Sequence, residues 1–137
     1  MRYNLFARQS NEIILVARIL LMILFLLTGW AKLTGFAGTV SYMASLGAPV
    51  PEVAAAIAVL MEFFVGILLV LGFYTRPLAA LMALFVLGTA LLGHPFWSME
   101  GAARMTNQIN FLKNLAIIGG LLLLVVTGPG RYSVDGH

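Results

Sequence analysis

The stretch VAAAIAVLMEFFVGILLVL, residues 53–71, decides the fold class of this chain. It contains one charged residue, Glu62, near its middle, and otherwise only apolar and small residues. At about 1.5 Å per residue, a helix of this length covers roughly 30 Å, the thickness of the hydrocarbon core of a bilayer. The stretch therefore predicts a membrane-spanning helix. A carboxylate at that depth costs about 2.5–3.5 kcal/mol, so Glu62 is expected to be paired or functional.

Three further stretches are long enough, or nearly so, to cross a bilayer: residues 13–31, 78–93 and 109–127. The chain of 137 residues is 61% hydrophobic and 9% charged, and its mean hydropathy is +1.01. This composition is typical of membrane proteins. We predict an all-α, integral membrane four-helix bundle that forms one domain over residues 1–137. The first apolar run is too long for a signal peptide, so we expect it to be retained.

Charge and loop length give the predicted bundle two different sides. One side holds more basic residues than the other: Arg2, Arg8, Arg76 and Arg131 against Lys32 and Arg104. The positive-inside rule then predicts that both termini are cytoplasmic. The outer connections, residues 32–52 and 94–108, are long, whereas the inner one, residues 72–77, is tight. A site built from loops is therefore expected to face outward.

The first outer connection is also predicted to contain a short helix. Phe36, Val40 and Met43 recur at helical spacing between Thr34, a candidate N-cap, and Gly47, a candidate stop. This pattern predicts a short interfacial helix on the membrane surface.

Polar residues fall on single faces of three of the predicted helices. In the first, Arg18, Met22, Phe25, Gly29 and Lys32 recur at steps of four, three, four and three, which predicts one stripe facing protein. In the second, small residues flank the acid one turn away on each side: Ala58, Glu62 and Gly66. The fourth adds three polar residues within about one turn: Asn110, Lys113 and Asn114.

Depth along the helices limits which cation reaches Glu62. Counted from the cytoplasmic ends, Arg18 lies at roughly 9 Å, Glu62 at about 15 Å and Lys113 near 21 Å. Either cation could close a gap of about 6 Å with its side chain. We favour Arg18, because a planar guanidinium grips a carboxylate through two hydrogen bonds. The predicted buried polar core is Arg18, Glu62, Lys113 and Asn114.

Two interpretations of this polar core are open. In the first, Arg18 and Glu62 form a satisfied ion pair that fixes helix register, and Lys113 extends toward the interface. In the second, a polar pocket open to the outer face binds a quinone-like or other small ligand. Its candidate residues are Lys32, Glu62, His94, Trp97 and Lys113, with Asn114 beside them. His94 could equally cap the third helix, and Trp97 could equally belong to an interfacial aromatic belt.

Composition excludes several kinds of site. The chain has no cysteine, so disulfides, iron–sulfur clusters and thiolate metal sites are excluded. It has two histidines, His94 and the last residue, His137, so one copy cannot build a three-histidine metal centre. We expect no metal and no covalently bound cofactor. The few basic residues are scattered, which argues against nucleic-acid binding.

The order of the motifs resembles the DoxX family of small bacterial inner-membrane proteins. The resemblance rests on motifs along nearly the whole chain: Arg18 inside helix one, Gly29-Trp-Ala-Lys32, Gly47-x-Pro49, Glu62 followed by Gly66 and Gly72, Thr75-Arg76, His94-x-x-Trp97, Lys113-Asn114-Leu, Gly119-Gly120 and Gly128-Pro-Gly. It implies a multi-pass protein of the bacterial cytoplasmic membrane. Some relatives are associated with quinone-linked oxidation or with membrane oxidoreductase complexes.

Three functions follow as hypotheses. The first is an accessory, quinone-interacting subunit of a membrane redox system with an oxidoreductase partner. The second is a small transporter or permease, which would need a homo-oligomer because four helices form a narrow path. The third is a structural or assembly protein without a ligand. The pattern identifies no catalytic residue, so it does not decide whether the chain is an enzyme.

Overall fold

The computed structural model describes residues 5–137, so Arg2 lies outside the described residues. Four helical segments are long and apolar enough to cross a membrane, and we refer to them as the first to fourth spans: Ala7–Thr34, Pro51–Leu71, Thr75–Ser98 and Gly101–Thr127. The predicted all-α four-span architecture is confirmed. Residues 5–10 and the C-terminal residues 128–137 lie at one end of the bundle, the terminal end. We call the opposite end the loop end.

Residues 5–137 form six α-helices, one π-helical segment and two short 3₁₀ turns. The first span contains a 3₁₀ turn, Ala7–Gln9, and helix α1, Ser10–Thr34. Helix α2, Phe36–Ser45, follows it. The second span consists of α3, Pro51–Val59, a π-helical segment, Leu60–Val65, and α4, Gly66–Leu71. The third and fourth spans are α5, Thr75–Gly93, with a 3₁₀ turn, Phe96–Ser98, and α6, Gly101–Thr127.

Helix α6 begins at Gly101, well before the predicted start at residue 109. The predicted loop of residues 94–108 therefore shrinks to residues 94–100. The reason is that hydropathy locates the hydrocarbon-embedded part of a helix, whereas Ala102, Ala103, Arg104 and Met105 are good helix formers that continue it beyond the apolar run. The fourth span consequently projects past the apolar core at the loop end.

The short helix predicted in the first connection is present as α2. Thr34 is the last residue of α1 and not an N-cap, because Gly35 makes the junction between the two helices. Gly47 follows α2 with a φ of 82°, a conformation that glycine adopts without strain. Met43 packs with Ala55 and Ala58 of α3, so α2 covers the second span. Its position relative to the membrane surface stays a prediction.

The buried face of α1 is the stripe that the sequence predicts. The buried residues of α1 are Arg18, Met22, Phe25 and Gly29. The apolar members of the stripe join one core cluster with residues of the other spans, including Met61, Val65, Leu69, Met82, Val86 and Leu121. The core therefore holds all four spans together, and the stripe buries Arg18 and leaves Lys32 partly exposed at its end.

Gly29 sets how closely the first two spans approach. A Cβ atom added there would lie 2.6 Å from the backbone nitrogen of Phe63, so only glycine fits this crossing. The predicted small-acid-small row is confirmed in the same place, because Ala58, Glu62 and Gly66 are all buried. Glu62 also lies within the π-helical segment, a local irregularity that is frequent at functional sites.

The C-terminal residues 128–137 fold back across the terminal end. The backbone N–H groups of Val134 and Asp135 donate to the carbonyls of Leu71 and Gly72, each at 2.9 Å. The Asp135 carboxylate in turn accepts hydrogen bonds from the backbone N–H groups of Tyr74 and Thr75, both at 2.9 Å. These N–H groups open α5 and have no partner inside the helix. The segment therefore caps α5 and closes the terminal end.

Candidate functional site

Glu62 forms a buried hydrogen-bonded network with two residues of α1. Its Oε1 accepts hydrogen bonds from the Thr28 hydroxyl at 2.6 Å and from the Lys32 ammonium at 2.9 Å. The Glu62 side chain is 9% exposed and that of Lys32 is 27% exposed. The predicted pairing with Arg18 or Lys113 is wrong, because the partner of Glu62 is Lys32.

The error has a geometric cause. Counting residues from helix ends assumes that the ends are level, but the backbone of Gly29 touches that of Phe63, next to Glu62. Lys32 lies one turn beyond Gly29 and reaches the carboxylate directly. Arg18 lies on the other side of Gly29, three turns or about 16 Å away along the helix axis. An arginine side chain cannot cover that distance.

Arg18 is satisfied by backbone carbonyls at the terminal end instead. Its Nε donates to Val70 O at 3.1 Å, its Nη2 to Tyr132 O at 2.7 Å, and its Nη1 to Pro129 O. The side chain is almost fully buried. Arg18 therefore fastens the C-terminal segment to the second span, which is a structural role apart from the candidate site.

A cavity of about 230 Å³ lies in the loop half of the bundle, and we call it the central cavity. All four spans and α2 contribute to it. Its polar lining residues are Thr28, Lys32, Tyr42, Glu62, Thr89, His94 and Asn114. Its apolar lining residues are Leu24, Phe25, Met43, Leu46, Ala58, Phe85, Val86, Leu92, Gly93 and Ile117. Few polar groups among apolar walls are the usual composition of a small-molecule site.

The second carboxylate oxygen of Glu62 is free to meet a ligand. Among residues 5–137, the hydrogen bonds to this side chain all end on Oε1. Within the same range, Thr75 Oγ1 is the one fully buried side-chain polar atom that lacks a hydrogen-bond partner. Glu62 Oε2 also lacks a partner but is not such an atom, so it is in contact with open space. Because Glu62 lines the central cavity, Oε2 presents a hydrogen-bond acceptor there.

His94 is held by a neighbouring amide at the loop end of the same cavity. Its Nδ1 lies 2.8 Å from Asn107 Oδ1, while the Asn107 amide nitrogen donates to Ala103 O at 2.9 Å. The second hydrogen bond fixes the orientation of the Asn107 amide, so its oxygen faces the imidazole and the Nδ1 atom carries a proton. In the neutral ring Nε2 is then an acceptor.

Lys113 lines a neighbouring feature and not the central cavity. It borders an open groove of about 430 Å³ together with Asn110 and Ala116, and we call this the lateral groove. The lateral groove shares four lining residues with the central cavity: Leu24, His94, Asn114 and Ile117. It lies between α1 and α6, which touch little because α1 packs mainly on the second span and α6 on α5. The two spaces therefore adjoin.

Trp97 lies outside both spaces. Its ring packs edge-on against Phe96 and Phe111, with ring centroids 5.4 Å and 5.7 Å away. It forms an aromatic cluster at the loop end and does not wall the central cavity. Of the residues predicted for the pocket, Lys32, Glu62, His94 and Asn114 meet at the cavity.

Three polar residues of the central cavity were not predicted from the sequence. Thr28 lies one helical turn from Lys32 on α1, so the spacing of the predicted stripe could have revealed it. Thr89 donates its hydroxyl to Val86 O within its own helix and looks like any membrane threonine. Tyr42 reaches the cavity from α2, and no periodicity in the sequence indicates which face of α2 would cover it.

Comparison with known proteins agrees with the motif pattern. The profile of the DoxX family matches residues 13–95, which include Thr28, Lys32, Glu62 and His94. The Escherichia coli inner membrane protein YphA is 52% identical over 135 residues, covering 98% of this chain and 96% of YphA. Another inner membrane protein of that organism, YqjF, is 47% identical over 122 residues, covering 89% of this chain and 88% of YqjF.

A more distant likeness covers part of the chain. A Surfeit locus protein 4 homolog of Schizosaccharomyces pombe is 39% identical over 70 residues, which is 50% of this chain and 23% of that protein. No solved structure matches. The family profile, the two full-length relatives and the four apolar spans together show that this chain belongs to the DoxX family and is an integral protein of the bacterial inner membrane.

Proposed function

We propose that this chain binds a membrane quinone in the central cavity, as an accessory subunit of a membrane redox system. The observation that carries the proposal is the central cavity itself, which joins apolar walls to a few hydrogen-bonding groups inside the spans. Glu62 and Lys32 line it from the first two spans, and His94 and Asn114 line it from the third and fourth. A quinone headgroup combines a flat apolar ring with polar atoms at two opposite edges, which matches this distribution.

The volume of the central cavity supports a ring-sized occupant. About 230 Å³ is below the roughly 300–1,000 Å³ that is common for small-molecule pockets. A single ring system is therefore favoured over a larger ligand. Phe25 and Phe85 line the cavity and supply aromatic surface for edge-on or offset packing against such a ring.

The lateral groove offers a path for the isoprenoid tail of a quinone. It adjoins the central cavity through Leu24, Asn114 and Ile117 and opens on the outside of the bundle between α1 and α6. A ligand dissolved in the bilayer can thus enter sideways. Its headgroup would occupy the central cavity while the tail stays in lipid.

The closed terminal end favours ligand binding over transport through one copy. Below Glu62 the core is filled by Met22, Val65 and Leu69, and Arg18 holds the C-terminal segment across the end of the bundle. A substrate has no continuous path through this arrangement. A transport role would need a path between copies of the chain.

We also propose that both termini are cytoplasmic. The basic residues Arg8, Arg76 and Arg131 belong to the terminal end, and Arg104 lies at the loop end. The positive-inside rule then places the terminal end in the cytoplasm. The central cavity, in the loop half, would lie toward the outer leaflet.

The quinone content of the purified protein tests the proposal. Protein solubilised from native membranes in mild detergent is extracted with organic solvent, and quinone is measured per polypeptide. We expect about one quinone per chain, and a large loss in His94→Ala and Asn114→Ala. Gln108→Ala, which changes an exposed amide of α6 outside the cavity, serves as the matched control and should retain quinone.

Two results would contradict this proposal. Folded protein that carries no quinone and shows no thermal shift with added quinone would favour the transport or structural role. Equal quinone content in His94→Ala and in the control would place any bound quinone elsewhere. Native gels of the same preparation would show whether an oxidoreductase partner, a homo-oligomer or a lone chain is present.

A further inference from the structure

We infer that the central cavity selects the reduced form of its ligand, a ring bearing hydroxyl groups, over the oxidised quinone. This inference rests on the proposed function, since it specifies which redox state of the quinone is held. It follows from the hydrogen-bonding character of Glu62 and His94, which line the cavity from the second and third spans. Those groups are acceptors.

On the second span, the acceptor is Glu62 Oε2. The other oxygen, Oε1, already takes hydrogen bonds from Thr28 at 2.6 Å and Lys32 at 2.9 Å, which hold the carboxylate in place. Oε2 accepts no hydrogen bond within residues 5–137 and faces open space. A hydroxyl group donates to this oxygen. A quinone carbonyl would instead set its lone pairs against a carboxylate, which is repulsive.

At the loop end, the acceptor is His94 Nε2. Asn107 Oδ1 occupies Nδ1 at 2.8 Å, and the Asn107 amide is itself fixed by Ala103 O. The Nδ1 proton is therefore used outside the cavity, and the neutral ring offers only a lone pair at Nε2. A second hydroxyl on the opposite edge of the ring can donate to it.

The remaining polar groups do not reverse this preference. The Lys32 ammonium is engaged by Glu62 and also borders a separate outer groove with Gly35 and Thr39, where its other protons can meet water or lipid headgroups. The Asn114 amide and the Tyr42 hydroxyl each offer both a donor and an acceptor, so they accommodate either redox state. The Thr89 hydroxyl donates its proton to Val86 O. A site with fixed acceptors discriminates against a ligand that lacks the matching donors.

The test compares three ligands that share a ring and a decyl tail. Affinities of the full-length protein in detergent are measured under argon for decylhydroquinone, decylbenzoquinone and the dimethyl ether of decylhydroquinone. We expect the hydroquinone to bind at least about ten-fold more tightly than the other two, because each lacks the hydroxyl donors. The dimethyl ether cannot be oxidised or reduced under these conditions, so it separates hydrogen bonding from redox chemistry.

Two variants assign the preference to the two acceptors. Glu62→Gln replaces an acceptor by an amide that can donate to a carbonyl. It should make the affinities for the hydroquinone and the quinone nearly equal. Asn107→Ala removes the group that fixes the His94 tautomer and leaves the Glu62 network intact, so it should weaken the preference even if Glu62→Gln folds poorly. Gln108→Ala should keep the full preference.

The outcomes separate this inference from the proposed function. Equal affinity for quinone and hydroquinone, or tighter binding of the quinone, would overturn the inference while leaving quinone binding in place. Absence of binding by all three ligands to folded protein would overturn both. A preference that persists unchanged in Glu62→Gln and Asn107→Ala would also overturn it, because the acceptors named here would not cause it.

Discussion

Lys32 Nζ lies 2.9 Å from Glu62 Oε1, although 30 positions separate the two residues in the chain. The pair joins the first span to the π-helical segment of the second, and both residues line the central cavity. Its two members differ in surroundings, since Glu62 is buried and Lys32 is partly exposed. Removing Lys32 should therefore change the stability of the protein by a different amount from removing Glu62.

Lys32→Met should destabilise the protein more than Glu62→Gln. The substitution leaves a buried carboxylate with Thr28 as its remaining partner. The expected loss of stability is up to about 3 kcal/mol, the lower end of the range for broken buried ion pairs. Glu62→Gln leaves a lysine that can extend toward the interface. Melting temperatures in detergent should show Lys32→Met lowest, with much of the loss recovered in the double variant with Glu62→Gln.

Arg18→Met is the control for this double-mutant cycle. Because Arg18 holds carbonyls at the terminal end, adding Arg18→Met to Glu62→Gln should lower stability further and not restore it. Recovery by Arg18→Met, or equal stability of Lys32→Met and the unmodified chain, would contradict the assigned pair.

The partner of Glu62 shows where prediction from the sequence stops. Helical spacing predicted which face of α1 is buried, because a 3.6-residue period places Arg18, Met22, Phe25 and Gly29 together. It could not predict which cation meets the carboxylate. That depends on the axial offset between two spans, which the backbone contact of Gly29 with Phe63 sets.

The residues of the central cavity were likewise predictable only in part. Lys32, Glu62, His94 and Asn114 stood out because polar residues are costly inside a membrane. Lys113 stood out for the same reason and Trp97 as an aromatic candidate for the pocket, yet both lie outside the cavity. Their positions depend on how α6 rotates against α5, which hydropathy does not encode. Tyr42 was missed because α2 folds back over the second span.

Gly29→Ala should destabilise the crossing of the first two spans. The new Cβ atom would lie 2.6 Å from Phe63 N, so the helices must separate, at a cost of about 1–3 kcal/mol for overpacking. Gly88→Ala is the matched control, because a Cβ there meets nothing within 4 Å and alanine favours the helix by about 0.5–1 kcal/mol. Thermal melting should fall in the first variant and hold or rise in the second. Equal melting of the two variants would show that the spans do not meet at Gly29.

Asp135 should make the stability of the terminal end depend on pH. The hydrogen bond from the Thr75 backbone is the largest cause that lowers the pKa of Asp135, with smaller contributions from the Tyr74 backbone and His137, while desolvation opposes them. A lowered folded-state pKa means that the stabilisation is fully present above the ordinary value of 3.8. It is lost as the pH falls through the folded-state pKa.

The variant Asp135→Asn isolates this dependence. Its melting temperature should lie below that of the unmodified chain near neutral pH, and the gap should close as the pH falls below about 4. Glu100→Gln is the control, since Glu100 precedes α6 without a side-chain capping bond and should show no comparable gap. A gap that is constant across the pH range would mean that the ionised carboxylate is not the capping group.

The orientation of the bundle can be read by labelling, because the chain has no cysteine of its own. Single cysteines at Ser45 and Ser98 lie at the loop end and are exposed, so a membrane-impermeant thiol reagent should label them in intact cells if the loop end faces outward.

Thr75 is fully buried and would stay unlabelled in either orientation. Tyr74, which is 63% exposed, is the informative position at the terminal end. Its cysteine should react after the cells are permeabilised and not before. Labelling of the Tyr74 position alone in intact cells would invert the topology and place the central cavity toward the cytoplasmic leaflet.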